Sequence, residues 1–206
     1  MRLQNPIAAL TPTVDAAVLL VLARADTSFT APAVHRLSPE KYSESGVRNA
    51  LARLVKQGIA LGDITGQTRS YRLNREHLLA ASITEMAHAK DMLLGQVWDE
   101  IRAWPVEPLD VRLFGSAARN EMHDDSDVDL LFIFHDGYDE DAATSRLTDL
   151  SLKVSAWTGN DARPLVYRES EVEQDPLFLN IIAEGIPVLP ACRWLEARLG
   201  AHTATP

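Results

Sequence analysis

A single cysteine, Cys192, stands in a chain of 206 residues. It excludes an internal disulfide and fits a reducing, cytoplasmic compartment. Long apolar runs are also missing. The most hydrophobic stretch, Ala16 to Ala23, is far shorter than the roughly 20 residues that span a bilayer as a helix, so no membrane partner is expected. Arg2 ahead of it and Ala31-Pro32-Ala33 behind it loosely mimic a secretory leader. Asp15 at its edge, and its fit to a larger helical pattern, argue for a buried helix instead. No low-complexity tract or internal repeat stands out. The remaining composition, 46% hydrophobic and 24% charged, is that of an ordinary globular chain, long enough for two small domains.

The net charge of −9 is unevenly spread: residues 1–80 carry a balance of +4, residues 81–206 one of −13. A basic front half can sit on nucleic acid, whereas the acidic back half is repelled by phosphate unless cations intervene. Two jobs are implied.

In the front half, Thr13 is placed to cap a helix over Val14–Ala23, with Asp15 in its first turn. Thr30 and Pro32 start a second helix through Val34 and Leu37. A third runs from about Ser43 to Gln57, with Val47, Ala50, Leu51, Leu54 and Val55 at helical spacing and Gly58 placed to end it. Arg48, Asn49, Arg53 and Lys56 occupy its other face. Ile59–Ile64 and Arg69–Leu73 read as two strands joined by Thr65-Gly66-Gln67-Thr68. Three helices and a hairpin make the winged helix order, and residues 43–74 resemble winged helix-turn-helix regulators. That resemblance implies a third helix in the major groove and a wing on the backbone, with Arg48, Asn49, Arg53, Lys56, Arg69 and Arg72 as DNA contacts. A structural bundle or a protein-contact module is the alternative.

Leu78 to Trp104 carries a long helical pattern through Met86, Met92, Leu93, Val97 and Ile101, stopped by Pro105 and Pro108. It reads as a linking helix, with a coiled-coil homodimer seam as its rival. The expected layout is a winged helix at 1–78, this linker at 79–104 and a second domain at 105–206.

The chemistry lies in the second domain. Leu109–Phe114 reads as a strand, Gly115-Ser116 turns out of it, and a short helix follows at Ala117–Glu121. Ser126–Phe134 reads as a second strand, with Asp127 and Asp129 on one face and Val128, Leu130, Phe132 and Phe134 turned to the core. Two carboxylates held side by side repel each other, and a divalent cation relieves that cost. Mg2+ (or Mn2+) favours such oxygen ligands together with substrate phosphates. Gly115 and Ser116 can cradle phosphate, and Arg119 and Ser126 complete the expected nucleotide contacts. A helix at about Glu140–Trp157 and a strand at Ala162–Arg168 follow. Asp124 and Asp125 read as solvated loop acids, and neither His123 nor His135 is given a role.

Gly115-Ser116-Ala117-Ala118-Arg119-Asn120-Glu121 and Ser126-Asp127-Val128-Asp129-Leu130-Leu131 resemble the DNA polymerase β-type nucleotidyltransferase superfamily, its minimal members above all. The resemblance covers about residues 90–190, including Glu184–Val188. It implies an α/β (α+β) fold with a small mixed sheet and flanking helices. It also implies transfer of a nucleoside monophosphate from a nucleoside triphosphate to a hydroxyl on a protein, tRNA or small molecule. Minimal members resemble parts of toxin–antitoxin modules. Two departures stand out. Asn120 replaces the usual glycine, a change the left-handed region tolerates. The third family carboxylate, expected on a later strand, has no counterpart within Ala162–Arg168. Either Asp161 serves as the third catalytic acid beside Asp127 and Asp129, or that acid is absent. In the latter case the protein is a transcription regulator that binds nucleotide without turnover, or a protein-binding partner such as an antitoxin.

Overall fold

The computed structural model describes residues 1–189 and 192–200. Contacts divide the chain into two units, Arg2–Lys90 and, together with Met1, Asp91–Pro206. Among the described residues no helix is long and apolar enough to cross a membrane.

In the first unit, α1 spans Val14–Ala23 and buries seven of its ten residues, as its nearly unbroken apolar sequence requires. Thr13 precedes it in extended backbone without a side-chain cap bond to the helix. A two-residue strand, β1 (Phe29–Thr30), leads into α2 (Ala31–Leu37), where Thr30 Oγ1 accepts from the Ala33 amide. In α3 (Glu44–Lys56), Ser43 caps by accepting from the Gly46 amide at 3.1 Å, and Val47, Ala50, Leu51 and Leu54 face inward. The strands β2 (Ala60–Thr65) and β3 (Thr68–Leu73) form a hairpin closed by Gly66-Gln67. β1 pairs antiparallel with β3, giving the order β1-β3-β2. This small strand is too short to announce itself by pattern.

The stretch 79–104 is two helices, α4 (Ala80–Ala87) and α5 (Ala89–Ile101), parted at His88 with φ −102° and ψ 17°. A continuous helix would give the Ala87 carbonyl to the amide four residues on. Here it accepts from Arg24 Nε at 3.2 Å. No glycine or proline marks this break, so apolar periodicity ran straight across it.

The second unit is built on a four-stranded sheet in the order β6-β5-β4-β7. β4 (Asp110–Phe114) leads through α6 (Gly115–Arg119) to β5 (Val128–Phe134), its antiparallel neighbour. α7 (Glu140–Thr158), capped by Asp139, carries the chain to β6 (Ala162–Arg168), parallel to β5. α8 (Pro176–Glu184) and β7 (Ile186–Pro187) follow, β7 pairing with β4, and then α9 (Trp194–Leu199). β5 is buried on both faces: Leu131 and Ile133 pack with Val172, Phe178, Ile181, Leu195 and Leu199. The expected core face of Val128, Leu130, Phe132 and Phe134 is therefore only half of the packing, because α8 and α9 cover the other side. β6 is an edge strand. The Val128 amide donates to the Asp161 carbonyl, so alternate β6 residues from Asp161 onward bond inward. Pro164 falls on the outer edge, where its missing N–H is not needed.

One face of β4 carries charge inside the protein. Asp110 and Arg112 are 0% and 1% exposed. Arg112 donates to Asp110 at 3.1 Å and to Glu196 of α9 at 2.5 Å, while the Leu195 amide donates to Asp110. This cluster fastens α9 to the sheet. Burial acts to raise the Glu196 carboxyl, but the Arg112 hydrogen bond and charge override it and hold it below its ordinary 4.5. Breaking a buried pair from one side costs about 3–5 kcal/mol, and Arg112→Met is expected to lower unfolding stability by that order in denaturant titration. Because Glu196 is depressed in the folded state, its contribution is present above pH 4.5 and fades as pH falls through its folded value. The gap between wild type and Glu196→Gln should accordingly narrow below pH 4.5.

Candidate functional site

β4 and β5 place the two halves of the glycine–aspartate motif side by side. Phe114, the last residue of β4, is level with Asp129 of β5. The backbone turns immediately, with Gly115 at φ +67°. A Cβ on Gly115 would lie 2.4 Å from Asp129 Oδ2. Glycine is thus required twice, by its dihedral and by the carboxylate against it. α6 then ends at Asn120, φ 61°, the one non-glycine residue in the left-handed region among those described.

Asp127 immediately precedes β5, and Asp129, one rung in, is partly buried. Burial first, and the charge of Asp127 second, push the Asp129 carboxyl above its ordinary 3.8, against the opposing fields of Arg163 and Arg119. The pair therefore carries negative charge that its surroundings only partly offset. Two hard oxygen donors with unrelieved repulsion, beside a glycine that leaves the approach clear, suit one divalent cation. Asp127 and Asp129 would hold it. Among the described residues no group of three acids, histidines or cysteines is placed to bind a metal.

The reason is visible in the β5–β6 register. Asp129 is level with Arg163 and Val128 with Ala162, so Arg163 shares the face of the two aspartates. Its Nε lies 3.0 Å from Asp127 Oδ2. A guanidinium occupies the rung beside Asp129. Asp161, the expected third acid, is exposed at the entrance to β6, and its backbone carbonyl is what meets Val128. Arg163 was missed because only acids were sought on this strand; the parallel register would have found it.

The other expected contact residues have partners within the protein. Ser126 Oγ accepts from the His123 amide at 2.8 Å, closing the turn before β5. The Ser126 carbonyl accepts from Asn160 Nδ2 at 2.7 Å, which ties the loop into β5 to the loop into β6. The buried Asn160 was not anticipated. Arg119 donates to Glu121 at 2.8 Å and to Glu184 at 3.2 Å, and these bonds raise its already high pKa. A pocket of about 230 Å³ beside Gly115 is lined by Phe114, Arg119, Leu177, Asn180, Ile181 and Glu184. A larger cleft, about 810 Å³, opens at the far end of β5, among Trp98, Pro105, His135, Tyr138 and Cys192. It contains none of the motif residues, so size alone does not mark the chemical site.

In the first unit Arg48, Asn49, Arg53 and Lys56 are exposed on α3 and Arg69 and Arg72 on β3. Arg48 pairs with Glu44, Arg53 with Asp15 and Arg72 with Asp63, while Arg69 lies over the Tyr71 ring.

Comparison with curated proteins gives no match. A solved structure described as "Crystal structure of the toxin-antitoxin with AMP-PNP" is 17% identical, with a TM-score of 0.39, over 51% of this chain and 79% of that one. So slight a likeness settles neither fold nor ligand. The segment holding Gly115, Asp127, Asp129 and Arg163 is more specific: residues 94–177 match the family model described as "Nucleotidyltransferase domain".

Proposed function

We propose that the second unit binds a nucleoside triphosphate with Mg2+ or Mn2+ and transfers its nucleoside monophosphate to a hydroxyl of a protein, a tRNA or a small molecule. The observation that carries this reading is the placement of the Asp129 carboxylate in the space that a side chain at residue 115 would fill, beside a bare backbone turn. The match over residues 94–177 supports it. Asp127 and Asp129 hold the cation, which neutralises charge on the phosphates. The backbone at Gly115 and Ser116 lets the phosphates approach. Arg119 is held by Glu121 and Glu184 through exposed pairs, which are weak in water and which a phosphate contact readily replaces.

In the same reading the first unit is a winged helix that binds DNA. Its order of three helices and a hairpin, with β1 adding to the hairpin, supports this. Three of its six candidate arginine, asparagine and lysine contacts are paired with acids. Such surface pairs are weak and yield to phosphate. A second reading, a nucleotide-responsive transcription regulator without turnover, is favoured by one observation: Arg163 instead of an acid beside Asp129. Nucleotide and DNA would then alter each other's affinity by the same factor.

Incubation with labelled nucleoside triphosphates, Mg2+ and cell extract should give a labelled product, reduced about a hundredfold or more in Asp127→Asn. No product from wild type, or none lost in the variant, sinks the transfer reading. Gly115→Ala should abolish nucleotide binding and cost about 1 kcal/mol or more in stability, since alanine fits neither the dihedral nor the space. Retained binding by a folded Gly115→Ala protein would count against the site. For the first unit, anisotropy with duplex DNA should show a steep salt dependence. Replacing Arg48 and Arg69 by alanine should flatten the log–log slope by about 0.9 per lost phosphate contact. A slope near zero in wild type excludes this DNA role.

A further inference from the structure

We propose that Arg163 is a built-in counter-ion that competes with the divalent cation for Asp127 and passes to the nucleotide's phosphates when that cation binds, so that metal and nucleotide bind cooperatively. The inference rests on the nucleotide-binding reading above and adds a residue that neither the motif nor the family match singles out.

Three observations carry it. The parallel register sets Arg163 on the same rung and face as Asp129. Its Nε is 3.0 Å from Asp127 Oδ2, so the carboxylate that a cation would need is already occupied. The two ends of that pair differ in freedom: the Arg163 side chain is 68% exposed and that of Asp127 is 26% exposed. The arginine can leave, while the aspartate is held in place at the start of a buried strand.

The physical consequence is a competition between cations of different kind. Arginine is permanently charged, so the competition does not depend on pH across the neutral range. A bare divalent ion must displace the guanidinium and leave it without a partner. An ion arriving with a triphosphate does not, because the displaced guanidinium finds phosphate oxygens within the same site and can meet them with a two-pronged donor. Nucleotide therefore strengthens metal binding, and metal strengthens nucleotide binding by the same factor. A half-exposed ion pair is worth up to about 1 kcal/mol, which corresponds to roughly fivefold in affinity. The effect is a modest coupling, and it is readable by titration.

The test is Mn2+ binding to the full chain, followed by the free-Mn2+ electron paramagnetic resonance signal, with and without a non-hydrolysable nucleoside triphosphate analogue. Wild type should bind Mn2+ alone weakly and gain affinity when the analogue is present. Arg163→Gln should bind Mn2+ alone about fivefold more tightly, bind the analogue more weakly, and lose most of the coupling. Arg163→Asp should tighten Mn2+ binding further by adding a third carboxylate. Arg163→Lys should keep the competition at Asp127 while losing part of the analogue affinity, because its charge remains without the planar fork. Unchanged or weaker Mn2+ binding in Arg163→Gln, with binding still abolished in Asp127→Asn, overturns the counter-ion role and leaves the nucleotide site standing. Absence of Mn2+ and analogue binding in wild type and Arg163→Gln alike overturns both. Circular dichroism of each variant confirms folding; Arg163 lies on an exposed part of an edge strand, where replacement costs little.

Discussion

Two carboxylates one residue apart, at the mouth of a buried strand, repel each other, and the surrounding structure is arranged to keep them there. Asp129 is set by its strand beside the end of β4, with its carboxylate in the space that a side chain at Gly115 would take. Asp127 is drawn back by Arg163 across the parallel pair. Asn160 locks the loop that delivers both, through the Ser126 carbonyl. A strand pair that served only to fill a core would have no use for this arrangement, since an apolar residue at 129 would pack without repulsion or desolvation cost. The unfavourable placement of charge, and the rigidity that maintains it, belong together.

That rigidity comes from the rest of the second unit. β5 is buried on both faces, one of them under α8 and α9, and a strand so enclosed has little freedom to slip. The charge cluster of Asp110, Arg112 and Glu196 fastens α9 at the sheet face that also carries Leu131 and Ile133. A buried ion cluster is weak as a source of stability but unforgiving of misplacement. Its geometry is satisfied only when α9 sits in one position.

Much of the fold was legible in the sequence where local chemistry and periodicity agree. Thr30 announces its helix because a side-chain oxygen just before the first turn can accept one of its free amides. Gly115 and Asn120 announce their backbone because few residues accept positive φ. What escaped has a common cause: it depends on residues far apart in the chain. At the break by His88 the Ala87 carbonyl is met by Arg24, more than sixty residues earlier. The cluster on β4 needs Glu196, and two charged residues in a strand otherwise read as surface. The Ser126 hydroxyl also closes the turn before β5, a local role that its place in a motif does not announce. Arg163 became visible only when a parallel register set it beside Asp129.

The edge strand β6 bears on what can dock beside the two aspartates. Pro164 presents no N–H to the outside, and its neighbour Arg163 occupies the approach to Asp127. An extended polypeptide laid along that edge would meet an interrupted ladder, unable to dock as an added strand in full register. A macromolecule held at this margin would depend on side-chain contacts. Recognition through the backbone gives way there to recognition of shape and charge.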